Sequence, residues 1–143
     1  MVDIAIKALS PGVNDTSTAI ASIDEIGAVL VRLSTRRVEN PYRTAGGRVR
    51  VIATGPTFAS LVRTALNEIR WNAGANVRVL RRVLRVLETL VGCTIDPARQ
   101  AVLLDEAARL LAVGEDTIRD HQDRAEVRAD YDRIAAAVIT ADA

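Results

Sequence analysis

The chain has 143 residues, 49% hydrophobic and 26% charged with a net charge of +1, which suits a single ordered domain over residues 1–143 and excludes a disordered or strongly nucleic-acid-like polymer. Aromatic residues make up only 3%, so Ala, Val, Leu and Ile must fill the core, and the single cysteine, Cys93, excludes an intrachain disulfide. No apolar run approaches the roughly twenty residues of a bilayer-spanning helix, and the first residues lack the regions of a signal peptide, so the chain as given reads as soluble.

From Met1 to Leu9 the pattern is helical, but no upstream side chain is at hand for the first N–H groups, as in a helix entered partway along. Ser10-Pro11-Gly12-Val13-Asn14-Asp15 forms a corner. Pro11 fixes φ, Gly12 is expected to supply a positive φ, and Asp15 caps the next helix; Asn14 and Asp15 are also cation-ligand types, though capping explains them more simply. From Thr16 to about Arg36, Ile20, Ile23, Ile26, Val29, Leu30 and Leu33 share one face with Asp24, Glu25 and Arg32 off it. Gly27 falls inside that face, which predicts close approach of another helix.

Asn40-Pro41 and Gly46-Gly47 break the pattern, and Arg48-Val49-Arg50-Val51-Ile52 alternates at period two. A small hairpin is expected at residues 42–53, Tyr42-Arg43-Thr44 pairing across the glycines, with arginines outward and Val49 and Val51 packed inward on the helices. The next helix, about Pro56 to Asn72, leaves Trp71 off its apolar face, either as an anchor for a partner or as cover for a helix end. Asn76 caps a sharply divided helix from Val77 to Gly92. Val77, Val79, Leu80, Val83, Leu84, Val86, Leu87, Leu90 and Val91 fill one half, and Arg78, Arg81, Arg82 and Arg85 crowd an arc of about 100° on the other.

Asp96-Pro97 starts a further helix whose wide apolar face predicts a central, largely buried element, with Arg99, Asp105, Glu106 and Arg109 on a narrow polar edge. A last helix from about Asp123 to Thr140 carries Val127, Tyr131, Ile134 and Val138 at helical spacing, and Asp120, Asp123, Asp130 and Asp132 make the tail acidic. The charge is lopsided: residues 1–92 hold thirteen basic against seven acidic residues, and residues 93–143 six against eleven. Either the two parts pair with each other, the simpler reading, or the basic part meets an anionic partner. Mainly α is therefore the expected class, a compact bundle of about five to six helices with one short hairpin.

Catalytic chemistry has few carriers. His121, the single histidine, lies among polar residues and reads as solvated; no two-His or His–Cys–Cys metal set can be built from it. Cys93 has no histidine nearby in sequence and reads as a buried structural residue. The glycines make no phosphate-binding pattern, so neither enzyme activity nor a cofactor is expected. The arginine stripe leaves three readings: solvated and paired with acids elsewhere in the fold, facing anionic lipid or an acidic partner, or gripping nucleic acid.

The run Val2-Asp3-Ile4-Ala5-Ile6-Lys7-Ala8-Leu9-Ser10-Pro11-Gly12-Val13-Asn14-Asp15, followed by Thr18-Ala19, resembles the signature of a bacterial family of predicted membrane proteins, domain-of-unknown-function family 2254. Arg48-Val49-Arg50-Val51-Ile52, the helix ending Glu68-Ile69-Arg70 and the leucine-rich helices after it extend the resemblance over most of the chain. Where such members tend to place proline after Asn-Asp, this chain has Thr16. The resemblance implies that complete members carry several transmembrane helices upstream, and that this chain is their C-terminal soluble part at the cytoplasmic face of the bacterial inner membrane. It assigns no catalytic or binding residue. The expected role is an interaction, regulatory or structural module without catalysis, with the membrane-spanning part of the parent protein or an anionic lipid surface as partner, and self-association open. The alternative is a cytosolic nucleic-acid-binding helical protein using Arg78, Arg81, Arg82 and Arg85; it ranks behind because the helix after the corner presents Asp24 and Glu25 where a recognition helix needs groups for base edges.

Overall fold

Residues 1–36, 42–53 and 55–141 are described by the computed structural model. In chain order they form α1 (Val2–Leu9), α2 (Thr16–Ser34), β1 (Tyr42–Ala45), β2 (Arg48–Ile52), α3 (Phe58–Ala73), α4 (Val77–Cys93), α5 (Pro97–Thr117) and α6 (His121–Ala141). The expected Asn40-Pro41 break lies outside the described residues. Caps set most helix starts. Asp15 accepts from the N–H groups of Ser17 and Thr18, Thr57 from Ser60, Asn76 from Val79, and Asp96 from Ala98 ahead of Pro97. The last helix begins two residues before the expected Asp123, because Asp120 Oδ1 accepts from the N–H groups of Gln122 and Asp123. As anticipated, α1 has no side-chain cap hydrogen bond.

The corner between α1 and α2 is built differently from expectation at one residue. Asn14, at φ 46°, takes the left-handed conformation, and Gly12 does not. Asparagine is the side-chain-bearing residue that tolerates this region best, so Asn14 is spent on the turn. Its N–H donates to Ser10 O at 2.9 Å, and the N–H of Asp15 reaches back to Ala8 O at 2.7 Å, closing the end of α1. Thr16, in the place of the resembled proline, accepts from Asn76 Nδ2 at 2.9 Å and ties the start of α2 to the start of α4.

Helix α4 is the centre of the bundle, touching α2, α3, α5 and α6; its Val79, Leu80, Val83, Leu84, Leu87, Leu90 and Val91 are all buried. The expectation that α5 would be central is corrected. Of its apolar face Leu103, Ala107, Leu110 and Leu111 are buried but Val102 and Leu104 only half-buried, and it touches three helices, α3, α4 and α6, against the four around α4. Gly27 does mark a close approach: a Cβ there would stand 3.0 Å from both methyls of Val86, so α2 lies hard against α4. Gly114 does the same for α5 against Val127 of α6, at 3.1 Å.

The hairpin forms where expected, turning on Gly46 and Gly47 at φ 59° and 71°. Its packing is not as expected. A bulge at Arg43/Thr44 shifts the register, among the described residues no helix packs on either strand, and Val49 and Val51 are 52% and 55% exposed.

Glycine at position 27 is a packing requirement, which a mutant series can read. Gly27→Leu is expected to cost about 2 kcal/mol in urea unfolding through overpacking against Val86. Adding Val86→Ala should return part of that loss, whereas strictly additive losses would show that the two helices do not meet there.

Candidate functional site

Stepping about 100° per residue around α4 explains what becomes of its four arginines. Arg81 and Arg82 fall at the two edges of the basic arc, next to the flanking helices, and Arg78 and Arg85 fall between them. Arg81 is claimed by α6. Its Nε donates to Asp130 at 2.7 Å and its other nitrogen to Glu126. Arg82, at the other edge, donates to Asp24 of α2. Arg78 and Arg85 are exposed and, among the described residues, have no ion pair.

Together the four line an open groove of about 490 Å³ with α4 as floor, Ile20 of α2 on one wall and Asp123 and Glu126 of α6 on the other. A second hollow of about 260 Å³ continues along the α2–α4 seam beyond the Arg82–Asp24 pair, where Gly27, Val86 and Arg85 meet. The basic stripe is thus halved electrostatically. Two guanidinium groups serve the seams and two, about 10 Å apart along the axis, remain for solutes or surfaces.

Asp130 is the anchor of this arrangement. Only 2% of it is exposed, and Arg133 joins Arg81 in donating to it. Burial works to raise its pKa, but the hydrogen bonds and charges of Arg81 and Arg133 outweigh that and hold the carboxyl below 3.8. The guanidinium groups of Arg81 and Arg82 are raised by their carboxylate hydrogen bonds, so both stay charged. The expected division of charge between the two parts of the chain is therefore met by pairing: Arg81 with Glu126 and Asp130, Arg63 with Asp105 and Glu106, and Arg133 with Glu88.

Several other residues fall differently from expectation. Glu106, placed on a polar edge by the sequence, is 1% exposed, with Arg63 Nε at 3.4 Å and Arg109 Nε at 3.9 Å. Arg99 is drawn in as well, donating to Ser34 O at 2.9 Å and Arg36 O at 3.0 Å with its guanidinium 4.9 Å from the Phe58 ring. It closes the end of α2. Cys93 is exposed rather than buried, because it lies past the edge of the α4 arc that Leu90 and Val91 complete. His121 is exposed at the start of α6, as expected. Trp71 stands 67% exposed, with Arg70 at 5.8 Å from its ring. Pro11, Gly12, Asn14 and Asp15 stay in the corner, where Asp15 accepts from the Thr18 hydroxyl at 2.6 Å and that bond, with the Thr18 and Ser17 amides, lowers its pKa.

Sequence reasoning missed Asp130 and Glu106 as buried charges, although a signal was present. Asp130 lies three residues after Val127 and four before Ile134, and Glu106 three after Leu103 and four before Leu110, so both sit on apolar stripes. A carboxylate on such a stripe implies a cation reaching in from a neighbouring helix. Breaking the Asp130 set tests this: Asp130→Asn should cost about 3 kcal/mol at neutral pH by leaving Arg81 without its buried partner. Because the folded-state pKa is depressed, the stabilisation is present above the ordinary carboxylate value and is lost as pH falls through the lower folded one. The difference between native chain and variant in urea melts should therefore shrink on acidification from about pH 5 to pH 2.

Among the described residues, no helix is long and apolar enough to cross a membrane. An uncharacterised protein of Mycobacterium tuberculosis strain H37Rv is 30% identical over 128 residues, which are 89% of this chain and 25% of that protein, and an uncharacterised protein of Mycobacterium bovis matches to the same extent. The chain spans about a quarter of the length of these curated relatives. No solved structure matches it. The profile described as "Predicted membrane protein (DUF2254)" covers residues 1–89, from α1 through the arginine-bearing part of α4, and the chain belongs to that family.

Proposed function

We propose that this chain is a non-catalytic interaction module of a bacterial membrane protein, which meets the anionic cytoplasmic leaflet through Arg78 and Arg85. The observation that carries the reading is the division of the α4 stripe: two arginines are taken up by carboxylates of α2 and α6, and two face solvent over an open groove without ion pairs among the described residues. Anionic headgroups supply the charge that Arg78 and Arg85 lack. Each basic residue near such a surface adds about 1 kcal/mol, and the attraction falls off within a Debye length.

Support for the non-catalytic part comes from how the polar residues are used. Asp15, Asp96 and Asp120 cap helices, and Asp24, Glu106 and Asp130 hold arginines. The nucleic-acid alternative is less well supported, because the two arginines of the stripe without ion pairs among the described residues are fewer than the several phosphate contacts that a nucleic-acid site makes.

Co-sedimentation with vesicles tests the reading. The 143-residue chain should pellet with phosphatidylserine-containing vesicles and not with neutral ones, with less recovered as salt is raised. Arg78→Glu/Arg85→Glu should weaken binding about tenfold with its helical content and unfolding midpoint unchanged. Equal recovery on neutral vesicles would sink the lipid reading, and tight binding of duplex DNA in a gel shift would favour the alternative.

A further inference from the structure

The hairpin has a surface that the helical bundle does not use. Tyr42, Val49, Val51 and Ile52 are 53%, 52%, 55% and 67% exposed, which places four of the chain's exposed large hydrophobic residues within eleven positions. The same eleven residues, 42–52, hold three arginines and no acidic residue. Every residue of β2 is exposed, and among the described residues no helix packs on either strand. A two-stranded hairpin alone in water is marginal, so a surface that covers its apolar side chains would hold it in shape.

We infer that the β1–β2 hairpin is a membrane-interface anchor, whose Tyr42 and Ile52, a cross-strand pair on one face, enter the boundary between headgroups and acyl chains of an anionic bilayer while Arg48 and Arg50 stay with the lipid phosphates. The composition matches that layer. Tyrosine suits the headgroup level, with an apolar ring and a polar tip; isoleucine gains by leaving water; arginine pairs with phosphate through its fork of donors and extends its apolar stem along the interface. A second copy of this chain pairing along the strand edge is the competing occupant, but it would bring three arginines against three with no carboxylate between them. A phosphate surface removes that repulsion.

The hairpin and the Arg78–Arg85 surface are separate regions of the chain, so the inference stands apart from the reading of α4. Trp71→Phe removes the native indole, which is exposed, and Ile52→Trp places a single reporter on the Tyr42–Ile52 face of the hairpin. On addition of phosphatidylserine vesicles the new indole's emission should move to shorter wavelength and be quenched by lipids brominated on their acyl chains, with no response to neutral vesicles. Arg48→Glu/Arg50→Glu in the reporter background should weaken the partition by about tenfold or more. An unchanged spectrum with vesicles, quenching by neutral vesicles to the same extent, or a lipid-free shift that grows with protein concentration would overturn the inference; the last would mark hairpin-to-hairpin pairing. Circular dichroism should show the same helix content in all variants, since no helix packs on the hairpin. Reporter quenching and vesicle recovery both unchanged in Arg78→Glu/Arg85→Glu would leave the anchor standing while removing the α4 reading, and lost quenching with native pelleting would do the reverse.

Discussion

Helix α4 is packed by four other helices and yet carries four arginines, and the rest of the structure depends on how those charges are accommodated. Seven aliphatic side chains fill its buried half, so the guanidinium groups have only the opposite arc, where two flanking helices close in from either side. At the edges of that arc the flanking helices leave Arg81 and Arg82 only partly exposed, and each edge position meets a carboxylate. Asp24 of α2 meets Arg82, and Asp130 with Glu126 of α6 meets Arg81. These pairs also fix which faces of α2 and α6 meet α4. Gly27 then lets α2 come within contact of Val86, and Gly114 lets α5 come against α6.

Much of this was legible in the sequence because local chemistry announces itself. Asn76, Asp96 and Pro97 mark helix starts whose caps form as read, and a glycine in the apolar face of α2 can be understood only as a close contact. The four arginines and their shared arc follow from helical stepping alone. What sequence periodicity does not contain is the identity of the helix across the seam. Arg81 and Asp130 are 49 positions apart, so their pairing is a property of the packed bundle. Alternation likewise shows which strand residues share a face but not whether a helix covers that face, and at Val49 and Val51 none does. The corner gave a subtler lesson: both Gly12 and Asn14 are suited to positive φ, and composition alone does not decide between them.

Three charged groups, the buried Glu106 and Asp130 and the half-buried Arg99, show the same economy in different settings. Each lies where the sequence pattern would allow a hydrophobic residue, and each links helices that are distant in the chain. Arg99 takes up two carbonyls at the end of α2 and stacks near Phe58 at the start of α3, so one side chain holds three helices at one corner of the bundle. Hydrophobic burial is non-directional, and an aliphatic core with 3% aromatics has little shape with which to choose between helix registers. Directional charged hydrogen bonds at the seams supply that choice.

The position of an arginine on the α4 arc therefore decides what kind of residue it is. Arg81 acts on stability, because the buried Asp130 loses a partner when it is removed, whereas the part-exposed Arg82–Asp24 pair contributes less. Arg78 and Arg85 lie in the middle of the arc, where water solvates them and removal leaves no buried charge behind. Their energetic effect on the isolated fold is small for that reason, and any larger effect must come from something outside the bundle. The hairpin follows the same logic with apolar groups. Its valines and isoleucine contribute nothing to the helical core, so the free energy of removing them from water is still to be gained, and only a surface beyond the bundle supplies it.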